Sequence, residues 1–235
     1  MLLCLDAGNT RLKFGVHDGT AWRMQGATDY AGIAGLPDQL PARPTTVVAC
    51  NVAGEAARRH IEALARRLTA PLEWLTSSAA ACGVSNGYDT PAQLGADRWA
   101  GLIGARGLHA DACVVVLAGT ATTIDALDAA GRYLGGLILP GLEMMRNSLA
   151  RNTADLPQAS GRYRPLATNT DDAIVSGALH ATLGALERVR ATLESPVTCL
   201  LSGGAAAELL SHVDAPCRPV ANLVLEGLAR YSLAK

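Results

Sequence analysis

The sequence predicts an α/β protein built from two similar domains, and three observations support this prediction. One pattern occurs twice, from Leu2 to Trp22 and from Val114 to Gly136: a short apolar run, an Ala-Gly turn with threonine close behind, and a second β-rich run. In each half, strand-like segments come first and helical segments follow, which is typical of duplicated α/β units. The chain has 235 residues, of which 49% are hydrophobic, enough for two packed cores. We therefore predict two domains, residues 1–108 and 109–235.

Turn residues divide the first half into strands and helices. Short β-rich runs predict strands, and apolar residues at helical spacing predict helices. The predicted strands cover residues 2–6, 11–17, 21–28, 45–52 and 71–76. The predicted helices cover residues 55–68, where arginines lie opposite the apolar face, and 95–108. A proline-rich stretch, residues 35–44, predicts a loop.

The second half repeats this plan with more helix. Its predicted strands cover residues 114–118, 122–127, 132–138 and 197–204. Its predicted helices cover residues 141–152, 171–194, 205–212 and 222–233. Each half thus begins with three strands, which is the arrangement expected of a duplicated fold.

Composition and charge exclude several classes of function. A formal net charge of −1 and an aromatic content of 4% argue against nucleic acid or a membrane surface as a partner. No stretch approaches the roughly 20 uninterrupted apolar residues of a membrane span, and the N-terminus lacks the basic start of a signal peptide. We therefore expect a cytoplasmic protein. The six cysteines form no CxxC pair, which favours reduced, mostly buried thiols.

The first copy of the repeated pattern ends its strand on an acidic residue, in DAGNTRLK from Asp6 to Lys13. A buried carboxylate needs a cation, and beside a phosphate-binding turn the natural one is Mg²⁺. Gly8, Asn9 and Thr10 offer backbone and side-chain donors, and Lys13 can reach a phosphate oxygen. An ordinary hairpin with Asn9 and Thr10 as turn residues explains the same segment. Both interpretations remain open on this segment alone.

The second copy has a turn rich in hydroxyl groups, residues 118–123, in which Thr120 can bind phosphate. It lacks a cationic side chain, but its position matches that of the first turn. Two such turns, one from each half, could hold one nucleoside triphosphate. Farther along, Gly203 and Gly204 end a predicted strand, which permits close approach of a flat ligand or serves a plain strand–helix turn.

Asp97 lies at the start of a predicted helix, with Arg98 beside it. An acidic residue there is commonly an N-cap or a partner of the helix dipole. Alternatively, Asp97 is a general base that takes a proton from a substrate hydroxyl, and Arg98 binds an anionic group.

Across nearly its whole length the chain resembles the type III pantothenate kinases, which belong to the actin-like superfamily that includes the acetate and sugar kinases. The resemblance rests on segments in the same order: DAGNTRLKFG, Tyr88 with LGADR, AGTATTID, GRYLGGLILPGLEMM, TADLP, NTDDAIVSG and LSGG. It implies two ribonuclease H-like (actin-like ATPase) domains with a central ATP cleft. It also implies a homodimer that phosphorylates pantothenate with ATP to give 4'-phosphopantothenate, the first step of coenzyme A biosynthesis.

The resemblance also assigns roles to residues. Asp97 is the implied proton acceptor, and we hypothesise that Asp6 holds Mg²⁺ through water. The implied ATP-binding residues are Asp6, Ala7, Gly8, Asn9, Thr10, Arg11, Leu12, Lys13 and Thr120. The implied pantothenate-binding residues are Tyr88, Gly95, Ala96, Asp97, Arg98 and Thr170. A kinase for another small hydroxylated acid and a non-catalytic ATP-binding regulator are the alternatives.

One position departs from the family pattern. The family usually has an aspartate two residues before the second turn's Gly-Thr, where it binds a monovalent cation such as K⁺ or NH₄⁺. This chain has Leu117 there. An apolar side chain cannot coordinate a cation, so we hypothesise that this chain lacks that site or builds it from other oxygens.

Overall fold

The computed structural model describes residues 1–193, 197–214 and 216–235, which fall into two units. The first unit comprises Met1–Ala110, Gly131–Tyr133 and Asn222–Lys235, and the second comprises Asp111–Ala130 and Leu134–Ala221. The division predicted from the sequence, at 108/109, assigned everything after residue 108 to the second domain. The structure instead gives residues 109–110, Gly131–Tyr133 and the C-terminal helix to the first unit.

The elements largely follow the predicted order. The strands are β1 (Leu2–Ala7), β2 (Leu12–His17), β3 (Trp22–Thr28), β4 (Thr46–Asn51), β5 (Leu72–Trp74), β6 (Ala80–Ala81), β7 (Val84–Ser85), β8 (Cys113–Ala118), β9 (Ala121–Leu127), β10 (Tyr133–Pro140), β11 (Thr198–Ser202) and β12 (Cys217–Pro219). The α-helices are α1 (Gly54–Leu68), α2 (Ala96–Leu108), α3 (Leu142–Asn152), α4 (Thr170–Arg190), α5 (Ala206–Leu210) and α6 (Leu223–Leu233).

The sheet of the first unit has the strand order β3-β2-β1-β4-β5. The central strand β1 is antiparallel to β2 and parallel to β4, and it is buried along its whole length. Side chains alternate between the faces of a strand. Leu3 and Leu5 lie in the core that includes α1 residues, so Cys4 and Asp6 belong to the opposite face. The strand β1 therefore has one apolar face, which packs in the core, and one face that carries the Asp6 carboxylate.

The C-terminal helix α6 packs on this first unit. Asn222 caps it by accepting a hydrogen bond from the Leu225 amide at 3.1 Å. Trp22 of β3 donates its indole N–H to Glu226 of the helix at 2.7 Å. The sequence pattern predicts the helix but carries no signal for which sheet it covers, because its apolar residues suit either core.

The sheet of the second unit has the order β10-β9-β8-β11-β12, which repeats the order of the first sheet. Its central strand β8 is antiparallel to β9 and parallel to β11, as β1 is to β2 and β4. A core of aliphatic side chains joins these strands to α4. The predicted fold class, α/β with two ribonuclease H-like domains, is confirmed.

Several short elements differ from the sequence-based prediction. A 3₁₀ helix, Gly32–Gln39, overlaps the stretch predicted as a loop. The two-residue strands β6 and β7 and the edge strand β12 were not predicted, because such segments are too short to show periodicity. The helix predicted over 171–194 ends at Arg190, and its last predicted residue lies outside the described ranges. Within those ranges, no helix is both long and apolar enough to cross a bilayer.

Candidate active site

The first repeated turn places a carboxylate and an amine side by side. Asp6 on β1 is the register partner of Lys13 on β2 and of Cys50 on β4. The Lys13 Nζ atom lies 3.6 Å from Asp6 Oδ2. The Cys50 thiol donates to Asp6 Oδ1, with a sulfur–oxygen distance of 3.7 Å. Asp6 is only 5% exposed, so these two neighbours supply much of its local polar environment.

The turn itself is anchored at its base and open at its tip. The Gly8 amide donates to the Arg11 carbonyl at 3.2 Å, and the Tyr30 hydroxyl donates to the Gly8 carbonyl at 2.7 Å. Asn9, Thr10 and Arg11 are exposed. A phosphate group approaching from solvent could therefore reach this turn.

Burial raises the pKa of Asp6 above its ordinary value. Lys13 opposes this shift, and the negative charge of Asp97 adds to it. The carboxylate therefore has less positive charge around it than its burial demands. A divalent cation would supply the missing charge, and a carboxylate oxygen is the ligand type that Mg²⁺ prefers.

The described residues contain no group of three or more His, Cys, Asp or Glu side chains that could hold a metal. This agrees with the way Mg²⁺ is usually bound beside nucleotides, by one or two carboxylates, by water and by substrate phosphates. Asp6 therefore fits a Mg²⁺ that arrives with ATP.

Asp97 lies in the first turn of α2, and the structure decides one question about it. The N-cap of α2 is Gly95 and has no side-chain capping bond, so the N-cap interpretation of Asp97 is wrong, whereas its place in the first turn still suits a partner of the helix dipole. Asp97 Oδ1 instead accepts from the Arg98 amide at 2.8 Å. A β-carbon on Gly95 would lie 2.7 Å from that same oxygen, so glycine leaves room for the carboxylate. The other carboxylate oxygen keeps its capacity to accept a proton.

Arg98 is buried next to two tyrosines. Its guanidinium donates to the Tyr88 hydroxyl at 2.7 Å and to the Tyr133 hydroxyl at 2.6 Å. The two tyrosine rings are stacked, with centroids 5.6 Å apart. The sequence motifs predicted roles for Tyr88 and Arg98 but none for Tyr133. Its only signal was an aromatic residue at the start of a predicted strand, which core packing explains equally well.

The second repeated turn is shorter and carries no charge. It consists of Gly119 and Thr120, both exposed, and the Thr120 carbonyl accepts from the Gly141 amide at 2.9 Å. Gly203 has a φ of +109°, and a β-carbon there would overlap the Ala118 backbone. The close approach expected at this glycine pair is therefore made to the protein's own strand β8. Packing alone accounts for Gly203.

Leu117 holds the position in β8 that Asp6 holds in β1. It is half-buried, with Ser202 on β11 and Thr123 on β9 as register partners. The Thr123 hydroxyl is buried and makes no hydrogen bond within the part of the chain that the structure describes. No carboxylate or amine occupies these three positions.

Thr170 begins α4 in the second unit. The N-cap Asn169 accepts from the Asp172 amide at 2.9 Å, and Thr170 itself is exposed. A pocket of about 650 Å³ lies here, lined by Leu149, Leu156, Ala167, Thr168, Asn169, Thr170, Ala173 and Ile174. Of the predicted site residues, only Thr120 and Thr170 belong to the second unit; the others belong to the first.

Two sheets of identical strand order, one with a buried carboxylate beside a glycine turn, define a two-domain protein of the ribonuclease H-like fold. Solved structures share this fold. One is described as a putative Baf family transcriptional activator from Campylobacter jejuni (TM-score 0.64, 22% identity, 97% of this chain and 96% of that chain). Another is a putative 2-dehydro-3-deoxygalactonokinase from Sinorhizobium meliloti (TM-score 0.58, 12% identity, 100% and 99%).

The sequence comparisons identify the family, which the shared fold alone does not. The family model for type III pantothenate kinase matches residues 2–192. The type III pantothenate kinase of Aromatoleum aromaticum is 52% identical over 233 residues, covering 97% of this chain and 96% of the relative. That of Dechloromonas aromatica is 48% identical over 239 residues, covering 99% of each. The chain therefore belongs to the type III pantothenate kinase family, as the resemblance of its motifs predicted.

Proposed function

We propose that this protein transfers the γ-phosphoryl group of ATP to the primary hydroxyl of pantothenate, giving 4'-phosphopantothenate in the first step of coenzyme A biosynthesis. The observation that carries the proposal is the polar cluster of the first unit. There a buried Asp6 lies beside Lys13 and within electrostatic reach of Asp97. These residue types occupy the positions that the family motifs assign to metal, phosphate and proton transfer.

The ATP end of the reaction is proposed for the segment from Asp6 to Lys13. Asp6 would hold Mg²⁺ through water, and the bound metal would neutralise phosphate charge and orient the γ-phosphoryl group. Lys13 and the donors of the open turn, Asn9 and Thr10 among them, would bind phosphate oxygens. Thr120 of the second unit stays a prediction as a further ATP contact. Transfer of this kind depends mainly on positioning and charge neutralisation, which such groups supply.

The pantothenate end is proposed for the start of α2. Asp97 would accept the hydroxyl proton as the oxygen attacks, and Arg98 would pair with the substrate carboxylate or a transferring phosphoryl oxygen. The hydroxyls of Tyr88 and Tyr133 accept from two different guanidinium nitrogens and so hold the group in place. Because a guanidinium held in place loses little freedom on binding, this arrangement favours a planar carboxylate. Gly95, Ala96 and Thr170 stay predictions as substrate contacts.

We do not propose a monovalent-cation site for this protein, although the family usually has one. Leu117 and its neighbours Thr123 and Ser202 offer two hydroxyls and no charge. Such a set is a poor match for a cation that a carboxylate ordinarily binds. We propose that the rate of this enzyme does not depend on K⁺ or NH₄⁺.

We also propose a homodimer, supported by the surface of the second unit. The edge strand β10 and helix α3 expose several large apolar side chains, and Ile138 is 66% exposed. Exposed apolar residues on an unpaired edge strand are typical of an interaction surface. Sedimentation of the purified protein would reveal a dimer, and a monomer at micromolar concentration would contradict the proposal.

The predicted cytoplasmic location stays a prediction.

An ADP-release assay with and without pantothenate tests the function directly. We expect release to require pantothenate and to be slower with other small hydroxylated acids. Equal rates with several acids would contradict pantothenate as the specific substrate, and a higher rate with one of them would point to another substrate. In Asp97→Asn, kcat should fall by about 10²–10⁴, the usual cost of losing a general base. Asp111→Asn, the same change at an exposed loop position, is the matched control. Near wild-type turnover in Asp97→Asn would refute the assigned role.

A further inference from the structure

Two cysteines outside the proposed active site face each other on neighbouring strands. Cys199 on β11 and Cys217 on β12 are direct register partners in a parallel pair. Neighbouring strands lie about 4.8 Å apart, which falls within the Cα–Cα range of about 4.4–6.8 Å that a disulfide spans. The two side chains already form a hydrogen bond with each other. Little backbone movement is therefore needed to join the two sulfurs.

The two thiols differ in access and in charge. Cys199 is fully buried, whereas Cys217 lies on the edge strand and is partly exposed. The hydrogen bond from Cys199 lowers the pKa of Cys217 to about 7, and Arg190 favours the thiolate further. Because Cys199 donates this hydrogen bond, its own pKa is raised, and burial raises it further. The partly exposed member of the pair therefore has the greater thiolate character, and the buried member is its register partner.

Arg190, whose charge lowers the pKa of Cys217, has one donor that an anion could satisfy. Its Nε–H is buried and has no hydrogen-bond acceptor among the residues that the structure describes. Its NH1 atom is engaged with Glu187 at 2.8 Å. A thiolate at Cys217 would give this cation a nearby negative charge that the neutral thiol does not.

The other cysteines are poorly placed for the same chemistry. Cys4 and Cys50 are buried, and burial raises the pKa of each thiol. Cys113 is the register partner of Thr198, so it lies on the opposite face of the sheet from Cys199. Cys82 is partly exposed but belongs to the first unit.

We propose that Cys199 and Cys217 form a modification site, a thiol pair that hydroperoxides convert reversibly into a disulfide joining β11 to β12. The Cys217 thiolate attacks one peroxide oxygen, the O–O bond breaks, and a sulfenic acid and hydroxide result. The Cys199 thiol then attacks the sulfenic sulfur and water leaves. In total, two thiols and one hydrogen peroxide give one disulfide and two waters, and a dithiol reductant reverses the change.

Thiol titration of the full-length protein under denaturing conditions tests the proposal. The reduced chain should show its six thiols, and hydrogen peroxide should remove two of them, restored by dithiothreitol. Peptide mass spectrometry should then find one linked pair, Cys199 with Cys217. A different pair, or oxidation of Cys217 to sulfinic acid with Cys199 still reduced, would overturn it.

Single variants separate the two roles. Cys217→Ser should keep all five remaining thiols at the same peroxide dose, and Cys82→Ser, the matched control, should still lose two. In Cys199→Ala, Cys217 should oxidise more slowly, because the hydrogen bond that lowers its pKa is gone, and should stop at the sulfenic acid, which reacts with dimedone. Alanine is chosen because it fits a buried strand without adding an unpaired hydroxyl. Loss of two thiols from Cys217→Ser would contradict the assignment whatever the fate of the other variant.

Discussion

Asp6 and Leu117 occupy the same position in two copies of one strand arrangement. Each is the next-to-last residue of the central strand of its sheet, and each lies between a hairpin partner and a parallel neighbour. Around Asp6 these neighbours are Lys13 and Cys50. Around Leu117 they are Thr123 and Ser202.

The difference shows that a duplicated fold need not duplicate its chemistry. Strand order and register are set by backbone hydrogen bonds and the apolar face, and both copies keep these. The other face is free to vary, so the central strand of the first copy carries a buried carboxylate beside a partly exposed lysine, whereas that of the second copy has leucine at the equivalent position. The turns differ too: residues 8–11 connect β1 to β2, whereas residues 119–120 suffice between β8 and β9.

Asp6→Asn tests this difference with the largest expected effect. We expect kcat/KM for ATP to fall at least about 100-fold, since the change removes the charge that would hold the metal. Leu117→Asn, at the equivalent position of the second unit, should retain most of the activity. Steady-state assays over a range of Mg²⁺ concentrations measure both. Equal losses in the two variants would mean that the copies contribute alike.

Asp6→Asn should also be more stable than the wild type in the absence of nucleotide. Because burial raises the pKa of Asp6 above 3.8, the folded chain binds more protons than the unfolded chain between these two pKa values. The free energy of unfolding contributed by this group therefore falls as the pH rises through that interval. Urea denaturation between pH 4 and pH 7 should show a shallower decline for Asp6→Asn. A variant less stable than wild type at pH 7 would show that the Lys13 pair outweighs burial.

Lys13→Met sharpens the comparison at the hairpin partner. A hydrogen bond to a charged group contributes about 1.5–3 kcal/mol, so KM for ATP should rise about 10- to 100-fold, with a smaller change in KM for pantothenate. The control is Lys235→Met, which alters the only other lysine of the chain, an exposed residue paired with Glu73. If both Michaelis constants rose equally, Lys13 would act on the fold rather than on phosphate.

Leu117→Asp places a carboxylate in the second copy at the position equivalent to Asp6. Wild type should turn over at the same rate in K⁺, NH₄⁺ and Na⁺, because no carboxylate lies at this position. In the variant, the new carboxylate and the hydroxyls of Thr123 and Ser202 could coordinate a cation, so activity should become higher in K⁺ than in Na⁺. Leu117→Asn supplies the same shape without charge. Strict K⁺ dependence of the wild type would show that other oxygens form the site.

Sequence predicted the parts of this molecule that repeat or alternate. The three-strand start of each half, the helices and the acidic residue beside the first turn follow from periodicity and from the cost of burying a charge. It did not predict that Cys50 and Lys13 flank Asp6, because register is a long-range property of the sheet. Tyr133 was missed for a similar reason. It is distant in sequence from Arg98, and only tertiary structure brings its hydroxyl within 2.6 Å of the guanidinium.

Thr123→Val tests the second copy with the smallest expected effect. The Thr123 hydroxyl is buried without a partner among the described residues, so replacing it by a methyl group should raise the free energy of unfolding by about 1 kcal/mol. Thr182→Val is the paired control, since that buried hydroxyl donates to the Ala178 carbonyl at 3.0 Å and its loss should be destabilising. Urea denaturation measures both changes. If KM for ATP is unaltered in Thr123→Val, the Thr123 hydroxyl has no part in binding the nucleotide. A marked rise in KM would mean that this hydroxyl contacts the nucleotide, and the two copies would then differ less in function than the Asp6–Leu117 difference suggests.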